Sequence, residues 1–176
     1  MENLKRTSLI LEFLDELKKN GSWCGETHIQ KAMYFLQELG DVPTEFPYVL
    51  YKHGPFSFDF RDELTALRAD GLLELTPRPY PYGPSLSVTD SGRRLKAHYP
   101  KTLEKYKDKI SFIAQKLGDK GVVDLERLAT ALFVIKKHAG NDVTALSGTI
   151  TDLKPHVTPE QARIAVEQVK EMLEAA

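Results

Sequence analysis

The chain has 176 residues, 41% hydrophobic and 28% charged, enough for one mid-sized domain or two small ones with packed cores. Its one cysteine, Cys24, excludes an intramolecular disulfide, and no run approaches the roughly 18 apolar residues of a membrane span. The net charge of −1 is unevenly spread, because residues 90–120 carry nine Lys and Arg against four Asp and Glu.

The opening MENLKRTSLILEFLDELKK lacks the apolar core and small-residue cleavage site of a signal peptide, so the expected location is cytoplasmic. In it Leu9, Ile10, Phe13, Leu14 and Leu17 recur at helical spacing, and Asn20-Gly21 supplies the stop. Trp23 and Cys24 fall in a short connection. Thr27 and Gln30 have the spacing of a capping box, which predicts a second helix with Ile29, Ala32, Met33, Leu36 and Leu39 on its packed face.

Alternation across Tyr48 to Tyr51 predicts a short strand over 46–52, broken at Gly54-Pro55. A third helix follows, capped by Ser57 or Asp59, with Phe60, Leu64 and Leu67 turned inward and an end at Asp70-Gly71. Strands over 72–76 and 85–89 flank the tip TPRPYPYGPS, whose four prolines lack the N–H that ladder pairing needs and predict a stiff, projecting loop. Thr89 or Asp90 caps the next helix, which carries Arg93 and Arg94.

From Pro100 onward the pattern is all helical. Stripes at 103–117 and 125–135 precede a short helix around 145–153, and Thr158-Pro159-Glu160-Gln161 combines a cap, a first-turn proline and a capping-box glutamine to start the last helix. The expected fold is α+β and predominantly helical. It comprises a winged helix-turn-helix domain over 1–99, with a small antiparallel sheet built from the three strands, and a C-terminal helical subdomain over 100–176.

The run THIQKAMYFLQELG, then YVLYKHGPFSFDFRDELTALRADGLLEL, then a wing closed by VTDSGRRL, resembles the uncharacterised YwgA-like proteins of bacteria and archaea, and more distantly the Panacea, or SocA-like, antitoxin-associated domain. LATALFVIKKHAG and DLKPHVTPEQAR are similar to the second half of YwgA-like chains, so the closer resemblance covers nearly the whole sequence. It implies a winged-helix fold and brings no catalytic residue. The Panacea likeness implies toxin neutralisation or an adaptor role.

Candidate sites fall into three classes. A protein interface would use Tyr80 and Tyr82 as anchors on the stiff tip, with Arg78 as the polar contact, unless both rings fold back over the wing. A DNA interface would use Arg61, Arg68 and Arg78 near a groove and Arg93, Arg94 and Lys96 on phosphates. Against it, the third helix also carries Asp59, Asp62, Glu63 and Asp70, and a lysine-rich helix face is commonly just solvated. Metal or catalytic chemistry has only Cys24, His28 and His53 to offer, fewer ligands than zinc requires and no third group to orient a nucleophile. The sequence therefore points to a non-enzymatic cytoplasmic regulatory or adaptor module without metal or cofactor, whose partner is a protein such as a toxin. The alternative is a winged-helix transcriptional regulator, and the apolar C-terminal faces leave a homodimer open.

Overall fold

The helix read from Leu9 to Leu17 forms α1 (Asn3–Lys19) in the computed structural model, which describes residues 2–138, 140 and 142–176. It ends at Asn20, whose backbone N–H donates to the Glu16 and Leu17 carbonyls, and Gly21 turns the chain at φ 96°. After α2 (Glu26–Glu38) come β1 (Val49–Tyr51), β2 (Gly54–Phe56), α3 (Phe58–Ala69), β3 (Leu73–Thr76), β4 (Ser85–Val88) and α4 (Asp90–Ala97). Four helices complete the chain: α5 (Pro100–Leu117), α6 (Val122–Lys137), α7 (Val143–Leu153) and α8 (Pro159–Ala175). The protein is α+β and predominantly helical, and no helix among the described residues is long and apolar enough to cross a membrane.

One cluster of buried hydrophobics joins the helices of both halves. α1 packs chiefly on α5 and α4, α2 on α6 and α5, and α8 closes over α6 and α7. Phe13, Phe35 and Phe60 are fully buried within it, and each such side chain contributes about 1.5–3 kcal/mol relative to exposure.

The caps separate two kinds of polar residue. Ser57, Thr89 and Asp142 accept from Phe60, Gly92 and Ala145 N–H groups, and Thr158 with Gln161 forms the full capping box. Thr27 and Gln30 form none, since α2 begins one residue after Gly25 with no side-chain cap. Gln30 is fully buried and used elsewhere: its Nε2 donates to the Ser57 carbonyl at 2.9 Å, and its Oε1 accepts the Ser57 N–H at 3.0 Å. A capping glutamine must stay at the rim of its helix. This one fastens α2 to the start of α3.

The expected three-stranded sheet is replaced by two separate antiparallel ladders, β1 with β2 and β3 with β4. Gly54-Pro55 does not end the first extended segment; Gly54 at φ 88° starts its return, so that Val49 faces Phe56 and Tyr51 faces Gly54. Beside β4, the third position is filled by the connection between α1 and α2. There the Leu86 N–H donates to the Cys24 carbonyl at 2.9 Å, Gly25 bridges Ser85, and the Ser85 hydroxyl donates to the Trp23 carbonyl. Those two residues are too few to read as a strand. They nonetheless take the edge for which β1 was the sequence candidate.

Candidate functional site: a cleft between α3, the β3–β4 hairpin and the α5–α6 turn

The third helix carries charges of both signs, but its geometry sorts them. Arg61, Thr65 and Arg68 share one face at helical spacing and line a cleft of about 610 Å³, whereas Asp59, Asp62, Glu63 and Asp70 do not line it. Glu63 instead turns to α1 and meets Arg6 at 3.5 Å. Arg61 is partly engaged, with Asp62 at 3.0 Å and its guanidinium 5.2 Å from the Phe58 ring centre.

Opposite α3 stand the β3–β4 tip and the connection before α2. The Arg78 guanidinium lies 3.4 Å from the centre of the Trp23 ring system and 4.6 Å from the Tyr82 ring centre, and the two aromatic rings are 5.9 Å apart. Cation–π contacts of this kind are each worth about 0.5–1 kcal/mol when exposed. They hold a long side chain that would otherwise sample many rotamers. Trp23 remains 61% exposed and Tyr82 59%, while Tyr80 at 97% touches almost nothing. The three residues singled out on the tip therefore divide: Arg78 and Tyr82 form a stack with Trp23 at the cleft, and Tyr80 projects into solvent. Sequence spacing could not find Trp23 as their partner, because the contact crosses more than fifty residues.

The floor is set by His28 and Ser22. The His28 Nε2 lies 3.1 Å from the Leu117 carbonyl, which can only accept, so Nε2 carries the proton and Nδ1 accepts from the Ser22 hydroxyl at 3.1 Å. Burial lowers the imidazole pKa and keeps it neutral. Ser22 Oγ also accepts the Cys24 N–H at 2.9 Å, so this chain of bonds pins the end of α5 to α2. Cys24 is fully buried, its thiol pKa pushed up by that burial and its Sγ directed at the Leu14 carbonyl. Among the described residues, no group of three or more His, Cys, Asp or Glu is placed to hold a metal ion.

The cationic segment after the β3–β4 hairpin lies elsewhere. The Lys96 ammonium sits 2.7 Å from Glu12 and 2.6 Å from Asp15 of α1; burial opposes its charge, but those hydrogen bonds win and hold its pKa above the ordinary lysine value. Arg93 meets Asp90 at 3.2 Å and Asp15 at 3.9 Å. These two cations fasten α4 to α1. Arg94 is exposed and donates to Ser91 at 2.8 Å.

A second cluster lies under the β1–β2 turn. Lys31, only 2% exposed, donates to the Pro55 carbonyl at 2.8 Å, and burial lowers its pKa to about 8. Lys154 donates to the Tyr51 and Lys52 carbonyls. Glu126 faces Lys154 at 3.6 Å, His156 at 3.4 Å and His53 at 3.4 Å, although its Oε1 has no hydrogen bond among the described atoms. The sequence signal was present at Lys31, a lysine inside the apolar stripe of α2. Its partners come from distant elements.

No protein-family model matches the chain, and no curated protein matches it either.

Proposed function

We propose that this chain is a cytoplasmic, non-enzymatic regulatory or adaptor module of winged-helix type that binds a segment of a partner protein in the cleft between α3, the wing and the α5–α6 turn. The order helix, short extended segment, helix, helix, hairpin, with the Cys24–Gly25 segment between α1 and α2 bonded to β4, supports the winged-helix reading. In that arrangement α3 is the presenting helix and β1–β2 is inserted before it. The observation that carries the binding reading is the Trp23–Arg78–Tyr82 stack. It sets two half-exposed aromatics and an arginine, the usual interface anchors, in a preformed arrangement where little side-chain entropy remains to be lost. Neutralisation of a toxin, which the Panacea likeness implies, is one form of this activity.

The DNA-binding alternative gains from the convergence of Arg61, Arg68 and Arg78 on one face. It loses because the α5–α6 turn, Gly118 to Val122, stands on the far side of the same cleft. A reading helix needs its face open to a major groove about 12 Å wide. Neither Lys96 nor Arg93 is spare for phosphates.

The test is affinity capture with the purified chain and with a Trp23→Ala/Tyr82→Ala variant, each repeated after nuclease treatment and at raised salt. The reading requires protein partners that survive nuclease and salt and disappear with the double variant. Recovery unchanged by that variant refutes it. Nucleic acid recovered with steep salt sensitivity would favour the alternative.

A further inference from the structure

The arginines of this chain are not alike in their partners. Arg6, Arg61, Arg93, Arg127 and Arg163 form ion pairs of 3.5, 3.0, 3.2, 3.7 and 2.8 Å with Glu63, Asp62, Asp90, Asp124 and Glu167. Among the described residues, Arg68, Arg78 and Arg94 have no carboxylate partner, and two of these three line the cleft. Lys120, on the α5–α6 turn at the same cleft, has none either. Two of the three arginines without a carboxylate partner among the described residues therefore stand at the cleft that holds the aromatic stack.

Arg78 adds a sharper requirement. Its position against Trp23 and Tyr82 fixes the guanidinium, yet its Nε is shut away from solvent with no hydrogen-bond acceptor. A carboxylate is the acceptor whose geometry matches that fork of donors. The helices α2 and α6 also start at the cleft, from Gly25 and Gly121, without side-chain caps, and their first N–H groups add partial positive charge. Two acids, Glu26 and Asp119, line the cleft as well. They would repel a contiguous run of phosphates but leave room for separated carboxylates. Leu75, 37% exposed, offers apolar surface beside them.

Resting on the partner-binding reading, we infer that the cleft takes an acidic peptide segment of the partner protein, with an Asp or Glu carboxylate on Arg68 and Arg78 and a neighbouring apolar side chain against Leu75. Charge complementarity selects the segment, and the aromatic stack holds Arg78 ready for it.

The experiment is selection from a random-sequence displayed peptide library on three immobilised proteins: the full native chain, Arg68→Gln/Arg78→Gln and Trp23→Ala/Tyr82→Ala. Thermal unfolding of each variant would confirm that it is folded. Peptides recovered on the native chain should be enriched several-fold in Asp and Glu over the input. Synthesised individually, they should bind at least tenfold more weakly to the arginine variant, and equally more weakly when their Asp and Glu are replaced by Asn and Gln. Equal affinity in either comparison overturns the inference. Recovery of neutral or basic peptides that depend on Trp23 and Tyr82 would overturn it while leaving the partner-binding reading standing. Recovery of no peptide, together with binding of a single-stranded oligonucleotide that the arginine variant loses, would overturn both.

Discussion

The chain holds two groups of cations that share a fold and differ in water. Under the β1–β2 turn, Lys31 and Lys154 are 2% and 7% exposed and spend their protons on backbone carbonyls around Glu126. At the β3–β4 tip, Arg78 leans on two aromatic rings that are themselves more than half exposed. Desolvation explains the division. A buried charge is tolerated only with its partners in place, so it serves the structure. A partly exposed arginine held by ring faces keeps its terminal donors for an incoming group and contributes little to stability.

The largest expected effect breaks the first group. Glu126→Gln keeps the shape of the side chain and removes the one carboxylate facing Lys154, so unfolding in urea should show a loss of about 3–5 kcal/mol, the usual consequence of stranding buried charge. A loss under about 1 kcal/mol would mean that the cluster behaves as an exposed pair, and the contrast with the β3–β4 tip would fall.

Lys31 gives that contrast a pH signature. Its pKa is about 8 in the folded chain against 10.5 for an ordinary lysine, with burial as the main cause. Between those values the unfolded chain binds more protons, so this group makes stability rise with pH from about 8 towards 10.5, and the cost of burying the charge is fully felt below that window. Each pKa unit between the two states is worth about 1.4 kcal/mol. Cys24, Tyr34 and Tyr48, whose pKa values burial raises, act in the opposite sense once the unfolded thiol ionises near pH 9 and unfolded tyrosines near pH 10. Stability measured against pH should therefore climb above 8, flatten from about 9 and turn over beyond 10. In Lys31→Met the climb should vanish and the turnover remain.

A smaller loss is expected where α4 crosses the β3–β4 hairpin. A Cβ on Gly92 would lie 2.5 Å from the Leu72 carbonyl oxygen and 2.8 Å from Val88, so the helix approaches the strands closer than any side chain allows. Gly92→Ala should cost about 1–3 kcal/mol in thermal or urea unfolding, as overpacked sites do. An unchanged midpoint would show that α4 can lift off the β3–β4 hairpin, which would leave the stack at its tip less rigidly placed.

What the sequence disclosed follows from the range of the interactions concerned. Helices α1, α3, α5, α6 and α8 were legible because apolar spacing and caps such as Thr158 with Gln161 act within a few residues. Gln30 misled for the same reason: its spacing from Thr27 is that of a cap, and only the fold shows Ser57 waiting twenty-seven residues away. The sheet was misassigned because the edge of β4 is taken by Cys24 and Gly25, a segment with no strand pattern. At the candidate site, Arg61, Arg68, Arg78 and Tyr82 could be named from the sequence. Trp23 and Lys120 could not be assigned to them, since the cleft is made by packing the α5–α6 turn against α3.

The smallest effect on stability should come from the residue most exposed for binding. Tyr80 is 97% exposed and adds almost no packing to the folded chain, so Tyr80→Ala should leave the unfolding midpoint within about 0.5 kcal/mol of the parent. Trp23→Ala and Tyr82→Ala should each cost somewhat more, about 0.5–1 kcal/mol for the lost contact with Arg78. The order is informative because binding should rank these residues differently. If Tyr80 is an anchor, its truncation weakens partner recovery as much as loss of Tyr82 does while stability stays put. If recovery follows Trp23 and Tyr82 and ignores Tyr80, the partner enters the cleft without wrapping over the tip. The prolines at 77, 79, 81 and 84 would then serve to hold Arg78 in place, with no part in presenting a tyrosine.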